Sequence, residues 1–241
     1  MISKNRIRFI KSLEQKKIRH EEELFIIEGE KMVLEALEWI PESIQTVYHI
    51  HDFYFTPPNK NIVFEEVTEN ELKSISSLKT PNKAIAICHF LPTKKTLSDY
   101  AIVLDGLQDP GNLGTILRMA DWFGISHVIC SKDTVDCYNP KVLQATMGAI
   151  FRVSVSYVEL EDFFSENTKP VYGALLDGEN LFNTNFEKEG IILLGNEGNG
   201  IREKNKKYIQ YPITIPKYGN AESLNVATAG AIILGSLFRG I

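Results

Sequence analysis

Three short stretches of this chain combine polar side chains with glycine and proline in a way that suits ligand chemistry. In "QDPGNLGTILR", Pro110, Gly111 and Gly114 shape a turn, and Asn112 and Arg118 carry an amide and a guanidinium at or soon after a helix start. Six residues apart, the two lie on different faces of a helix and need not act at one point. As ordinary structure, Asn112 would cap the helix and Arg118 would face solvent. In "LLGNEGNGI", Gly195, Gly198 and Gly200 surround Glu197 directly after an apolar run. Glycines there let a ligand approach backbone amides, and a carboxylate among them repels phosphate but suits a hydroxyl or a cation. The stretch has neither the Gly-Lys-Ser/Thr of a phosphate loop nor the Gly-x-Gly-x-x-Gly of a dinucleotide turn, and a plain glycine turn is the alternative. In "IPKYGNAESLNVATAGAI", Ser223 and Asn225 flank Leu224 before a small-residue helix. Two short hydrogen-bonding side chains beside an apolar contact suit an adenine or a ribose, although Ser223 could equally be a helix cap.

These stretches need a scaffold that brings them together. "AIVLDGL", "SHVICS", "RVSVSYV", "PVYGALLDG" and "GIILLGNEG" are short buried strands, and "NLGTILRMADWFG", ending on Gly124, and "NPKVLQATMGAIF", with Pro140 near its start, are helices between them. Strands alternating with helices predict a mainly parallel sheet covered on both faces, whose ligands sit outside the carboxyl ends of the strands. The preceding residues form a smaller α/β unit. A helix is expected over 3–20, then a strand and a helix with Val33, Leu34 and Leu37 on one face. Three apolar runs follow, with a Thr68/Glu71 capping box between the second and third. The polar "LPTKKTLSDY" separates the two parts, giving domains at 1–92 and 99–241 with a linker at 93–98.

Composition narrows the class. With 44% hydrophobic and 24% charged residues the chain reads as globular, and no apolar run approaches the roughly 18 residues of a membrane span, so a cytoplasmic protein is expected. The three cysteines form no CxxC pair and read as buried apolar residues; the His49/His51 spacing matches no zinc signature, so no metal is expected. A net charge of −5 argues against nucleic acid, but its distribution does not. Lys4, Arg6, Arg8, Lys11, Lys16, Lys17 and Arg19 make the opening helix basic. Arg152 and the "REKNKKY" segment, with Arg202, Lys204, Lys206 and Lys207, extend the surface that could gather phosphates.

Taken together and in order, "LDGLQDPGNLGTILRMADWFG", "LLGNEGNGI" and "IPKYGNAESLNVATAGAI" resemble the three motifs of the SpoU (TrmH-like) family of RNA ribose 2'-O-methyltransferases, in the SPOUT superfamily. The likeness covers residues 99–241, and "VDCYNPKVLQATMGAIFRVSV" matches the family's intervening segment. Residues 1–92 look like the small L30e-like domain that holds RNA in many relatives. The resemblance implies a trefoil-knotted α/β domain, a homodimer and S-adenosylmethionine as cofactor, held by Leu194, Gly195, Asn196, Gly198, Ile215 and Leu224. It implies catalytic roles for Arg118, acting at the other subunit's cofactor, and for Asn112, Glu197, Ser223 and Asn225. Structured RNA, ribosomal before transfer RNA, is the expected partner; the rival reading is a noncatalytic RNA-binding or ribosome-assembly protein on the same fold. The chain departs from the family pattern at Gln144, Lys217 and Ala227, none of them a residue with an implied catalytic role.

Overall fold

A computed structural model describes residues 1–56, 62–93 and 98–239. The expected linker at 93–98 falls largely on residues 94–97, outside the described set. In chain order the first elements are α1 (Lys4–Ser12), α2 (Lys16–Glu22), β1 (Leu24–Glu28), α3 (Glu30–Trp39), β2 (Ile44–His49), β3 (Val63–Glu66), α4 (Glu69–Ile75) and β4 (Ala84–His89). Then come β5 (Tyr100–Leu104), α5 (Pro110–Trp122), β6 (His127–Ser131), α6 (Pro140–Thr146), β7 (Ser154–Val158) and α7 (Leu160–Glu166). The last are β8 (Val171–Asn180), β9 (Gly190–Leu194), α8 (Glu203–Lys206), β10 (Tyr211–Thr214) and α9 (Val226–Leu237).

The chain divides into two compact units, the first comprising residues 1–92 and 138–151, the second the remainder. In the first, β4 lies between β1 and β2, antiparallel to both, and β3 adds parallel to β2. Ile10, Leu13, Leu24, Leu72, Ile75 and Ile87 pack beneath this sheet. Residues 138–151 belong to this unit although they lie within 99–241. Helix α6 packs on β1, and the Tyr138 ring stacks on Phe25 and Phe90 at centroid distances of 4.6 and 4.1 Å.

Two expectations for this unit need correction. The single helix over 3–20 is two helices: α1 ends at Leu13, and Arg19 is buried, its Nη1 donating to the carbonyls of Leu13 (2.9 Å) and Glu14 (2.7 Å). Those carbonyls lack helical partners, and the guanidinium supplies them, so Arg19 is a cap for the break and not part of a phosphate surface. On α3 the buried face is Val33, Ala36 and Leu37; Leu34, one residue and about 100° on from Val33, is exposed. The Thr68/Glu71 capping box is present, with the Thr68 hydroxyl accepting from the Glu71 amide at 3.2 Å.

The second unit is a six-stranded sheet in the order β10-β8-β9-β5-β6-β7, parallel throughout. Its central strands β5, β6 and β9 are buried at every position, as strands covered on both faces must be. The chain builds β5, β6 and β7 outward in one direction and places β9 and β8 on the other side of β5, so the strand order reverses between β5 and β9. Loops leaving those two strands therefore splay apart and open a crevice between them. Asp109 caps α5, its Oδ1 accepting from the Asn112 amide at 2.8 Å, with Pro110 in the first turn; Gly124 follows the helix at φ +69°. Helix α9 packs against α5, which brings the third motif to the same crevice.

Candidate functional site

The site is built from the ends of β5 and β9 and the start of α9. The Asp105 amide donates to the Leu194 carbonyl at 2.9 Å, holding the two strand ends level. Beyond β9 the loop closes on itself: Asn196 and Gly200 exchange both backbone hydrogen bonds, at 3.0 and 2.9 Å. Gly195 lies so near the other limb of this loop that a Cβ there would collide with the backbone of Gly200 and Ile201. Its glycine is thus required by the loop's own packing, before any ligand is considered.

Glu197 projects from that loop onto the start of α5. Its carboxylate accepts from the Asp109 amide (2.9 Å), the Gln108 amide (3.3 Å), Asn112 Nδ2 (3.1 Å) and Asn196 Nδ2 (3.2 Å). Partial burial acts to raise its carboxyl pKa, but these donors, the Asp109 amide first, outweigh it and hold the group below the usual carboxylate range. Glu197 is an ionised, fully engaged tie between loops. Asn112 Oδ1 in turn accepts from Asn225 Nδ2 at 2.8 Å, and Asn225 Oδ1 caps α9 by accepting from the amides of Ala227 (3.0 Å) and Thr228 (3.2 Å). Only one orientation of each amide serves both of its neighbours, so the line Glu197–Asn112–Asn225 has a defined polarity. It joins all three motifs.

Beside this line lies a cavity of about 480 Å³, within the range of small-molecule sites. Leu194, Gly195, Asn196, Gly198, Ile215 and Leu224 all line it, as do Glu197 and Ser223. Its wall is apolar at Leu176, Ile213 and Ile233, and Lys217 and Glu222 add one charge of each sign. Strand-end backbone beside an apolar wall suits the edge and face of a planar base, and the carboxylate of Glu222 suits a cationic centre. The residues present therefore fit an adenosyl sulfonium compound. Ser223 is exposed and stands outside the hydrogen-bonded line.

Arg118 is not brought to this cavity. It is exposed on α5, about one and two-thirds turns beyond Asn112, and makes no hydrogen bond or ion pair among the described residues. The basic segment after the second motif is also different from expectation. Arg202 is bound to Asp105 and Asp133, Lys204 pairs with Glu161 at 3.1 Å and Lys206 with Glu203 at 2.9 Å; Arg152 pairs with Asp121 at 2.8 Å. These cations are matched by local carboxylates, which leaves Lys207 of that group without an ion pair among the described residues. On the first unit, Lys4, Arg8, Lys11 and Lys16 are exposed and, among the described residues, unpaired, whereas Arg6 is held by the Tyr48 hydroxyl at 2.7 Å.

Sequence reasoning did not single out Asp105, Gln108, Asp109 or Asn205. Asp109 carried a readable signal, an acidic residue directly before proline at a helix start. The Gln108 amide and the buried Asp105 and Asn205 carried none, because their role depends on which loops meet.

Comparison with known proteins places these features. Residues 99–235 match the model of the SpoU rRNA Methylase family, and residues 4–86 that of an MRM3-like substrate binding domain. The 23S rRNA (guanosine(2553)-2'-O)-methyltransferase RlmP of Bacillus subtilis is 33% identical over 233 residues, covering 93% of this chain and 92% of the relative. A solved structure of a TrmH-family protein from Porphyromonas gingivalis is 36% identical, with a TM-score of 0.91 over 99% of both chains. That of an AdoMet-bound rRNA methyltransferase from Sinorhizobium meliloti is 27% identical, with a TM-score of 0.87 over 100% of this chain and 97% of that one.

Proposed function

The chain belongs to the SpoU rRNA methylase family, and from that premise we propose that it methylates a ribose 2'-hydroxyl of ribosomal RNA with S-adenosylmethionine. The observation that carries this reading is the Glu197–Asn112–Asn225 line, which ties three strand-end loops around one cavity of suitable size and lining. S-adenosylmethionine, when bound, supplies an electrophilic methyl group on a sulfonium. Leu194, Gly195, Asn196, Gly198, Ile215 and Leu224 are assigned to hold it, through backbone at the strand ends and apolar contact.

The rest of the chemistry falls to side chains that orient the ribose. Asn112, Asn225 and Ser223 present short polar groups beside the cavity, and Glu197 keeps the first two in place. Glu197 is a poor proton acceptor because four donors already stabilise its charge. Arg118 is no general base either, because a guanidinium is a hydrogen-bond donor with no lone pair free to accept a proton. Its role is to hold the phosphate next to the target ribose and to stabilise the negative charge that develops on the 2'-oxygen as its proton passes to solvent water during methyl transfer. Because Arg118 lies away from the cavity of its own chain, it is assigned to the cavity of a second copy, in a homodimer. Residues 1–92 are assigned to RNA, with Lys4, Arg8, Lys11 and Lys16 as the free cations that would meet phosphate, and 99–241 to transfer. A trefoil knot through the end of the chain completes the reading.

Calorimetric titration with S-adenosylmethionine and with ATP tests it. Saturable binding of the first alone is expected, abolished by Ala229→Phe, which enlarges a wall residue of the cavity. Transfer of labelled methyl to in vitro transcribed 23S rRNA should follow, with the label recovered as a 2'-O-methyl nucleoside. A folded protein that binds no S-adenosylmethionine at millimolar concentration would overturn the proposal.

A further inference from the structure

Asp105 ends β5 fully buried, one residue before the turn that feeds α5. Its Oδ2 accepts from the Arg202 amide (2.8 Å) and from Asn205 Nδ2 (2.9 Å), which fixes the start of α8. Its Oδ1 has no hydrogen bond among the described residues and faces Arg202 Nε at 3.4 Å. Among the described residues Arg202 is the cation paired with this carboxylate, and a buried charge needs such a partner. The far end of the same guanidinium, Nη2, donates to Asp133 Oδ2 on the turn after β6. Between the two carboxylates the guanidinium covers the Cα of Gly106: a Cβ there would collide with Nη2, and Gly106 also stands at φ +76°. The other faces of Gly106 are held as well. Its amide donates to Ser131 Oγ at 2.8 Å, and its carbonyl accepts from Asn196 Nδ2 at 2.8 Å.

We infer that Arg202 is a positioning residue for methyl transfer: by bridging Asp105 and Asp133 across Gly106 it fixes the turn that presents the Gln108 and Asp109 amides to Glu197. Through that contact it sets the Glu197–Asn112–Asn225 line. This inference rests on the proposed function above. It also separates two parts of the site. The backbone of the cofactor-side loop closes on itself through Asn196 and Gly200 and follows directly from β9; it meets the clamped turn through the side chains of Asn196 and Glu197, so its own fold rests less on the clamp. The acceptor side rests on it more, because the turn at 106–109 has no regular secondary structure of its own.

The test compares Arg202→Met, Arg202→Lys and Asp133→Asn with the wild type. For Arg202→Met, kcat on 23S rRNA transcript is expected to fall about tenfold or more, an ångström-scale misplacement being worth up to about a hundredfold. The Kd for S-adenosylmethionine, by calorimetry, should stay within about twofold. Arg202→Lys keeps one charge but loses the planar fork that spans two carboxylates, so it should fall between. Asp133→Asn removes the exposed end of the clamp and leaves Asp105 paired, so it folds in any case and should lower kcat in the same sense. Hydrogen exchange gives a readout that needs no RNA: amides in 105–113 should exchange faster in the variants while 190–201 keep their rates. Unchanged kcat and unchanged exchange in Asp133→Asn and Arg202→Lys would overturn the inference, as would a uniform rise in exchange with an equal loss of cofactor affinity. A wild type that transfers no methyl to the transcript would count against the proposed function instead, and the exchange pattern would still decide the role of Arg202.

Discussion

Glu197 shows how one side chain can matter to a reaction without taking part in it. It meets two backbone amides and two side-chain amides, and each is a donor that only an acceptor can satisfy. Glu197→Gln replaces one acceptor oxygen with an NH₂ that points at donors. Unfolding in urea should show a loss of roughly 1–2 kcal/mol, the worth of charge-assisted hydrogen bonds discounted for partial exposure. Turnover should fall more steeply than that loss explains, because Asn112 loses its anchor while the cavity wall is intact. A variant with normal stability and normal turnover would remove Glu197 from the site's support. Gly195 makes the complementary point: any side chain there breaks the loop, so its substitution reports on folding and not on ligand contact.

At the scale of elements, β6 carries a charge-sensitive residue into the sheet. His127 is buried, its Nε2 lies 2.8 Å from Ser156 Oγ on the neighbouring β7, and its Nδ1 has no hydrogen-bond partner among the described residues. Burial lowers its pKa below the ordinary 6.5, so the folded protein holds it neutral. The unfolded chain binds this proton first as pH falls. Stability contributed by the neutral ring is therefore complete above about pH 6.5 and declines as the pH drops below that value towards the lower folded pKa. Thermal melts from pH 7.5 to 5 should show a falling Tm, with a shallower slope in His127→Gln. Equal slopes would assign the acid sensitivity to other groups.

At the scale of the whole molecule, the proposed homodimer would complete each cavity with Arg118 of the other chain, which is exposed and, among the described residues, unpaired. Mixing subunits tests this directly. Arg118→Ala keeps a good cavity, and Ala229→Phe keeps a good arginine; each alone should be inactive. Reassociated in equal amounts, half the dimers are mixed and each mixed dimer has one sound site, so about a quarter of wild-type turnover should return. If Arg118 serves its own chain, no mixed dimer has a sound site and none returns.

The sequence by itself determined the alternation of strands and helices, the capping box at Thr68, the glycine stop at Gly124 and the three motifs, because each depends on neighbours a few residues apart. It did not determine the break in the first helix, where Arg19 reaches back to carbonyls of the preceding turn. Nor did it show that residues 138–151 pack with the first unit, since a buried face reads alike whichever core receives it. The cations at Arg152, Arg202, Lys204 and Lys206 looked available for phosphate until their partners at Asp121, Asp105, Asp133, Glu161 and Glu203 were in place. Only the tertiary structure decided those pairings. Motif residues are legible because local backbone demands restrict their types, whereas ties such as Glu197 to the Gln108 and Asp109 amides depend on loops about ninety residues apart meeting at the reversal of strand order between β5 and β9.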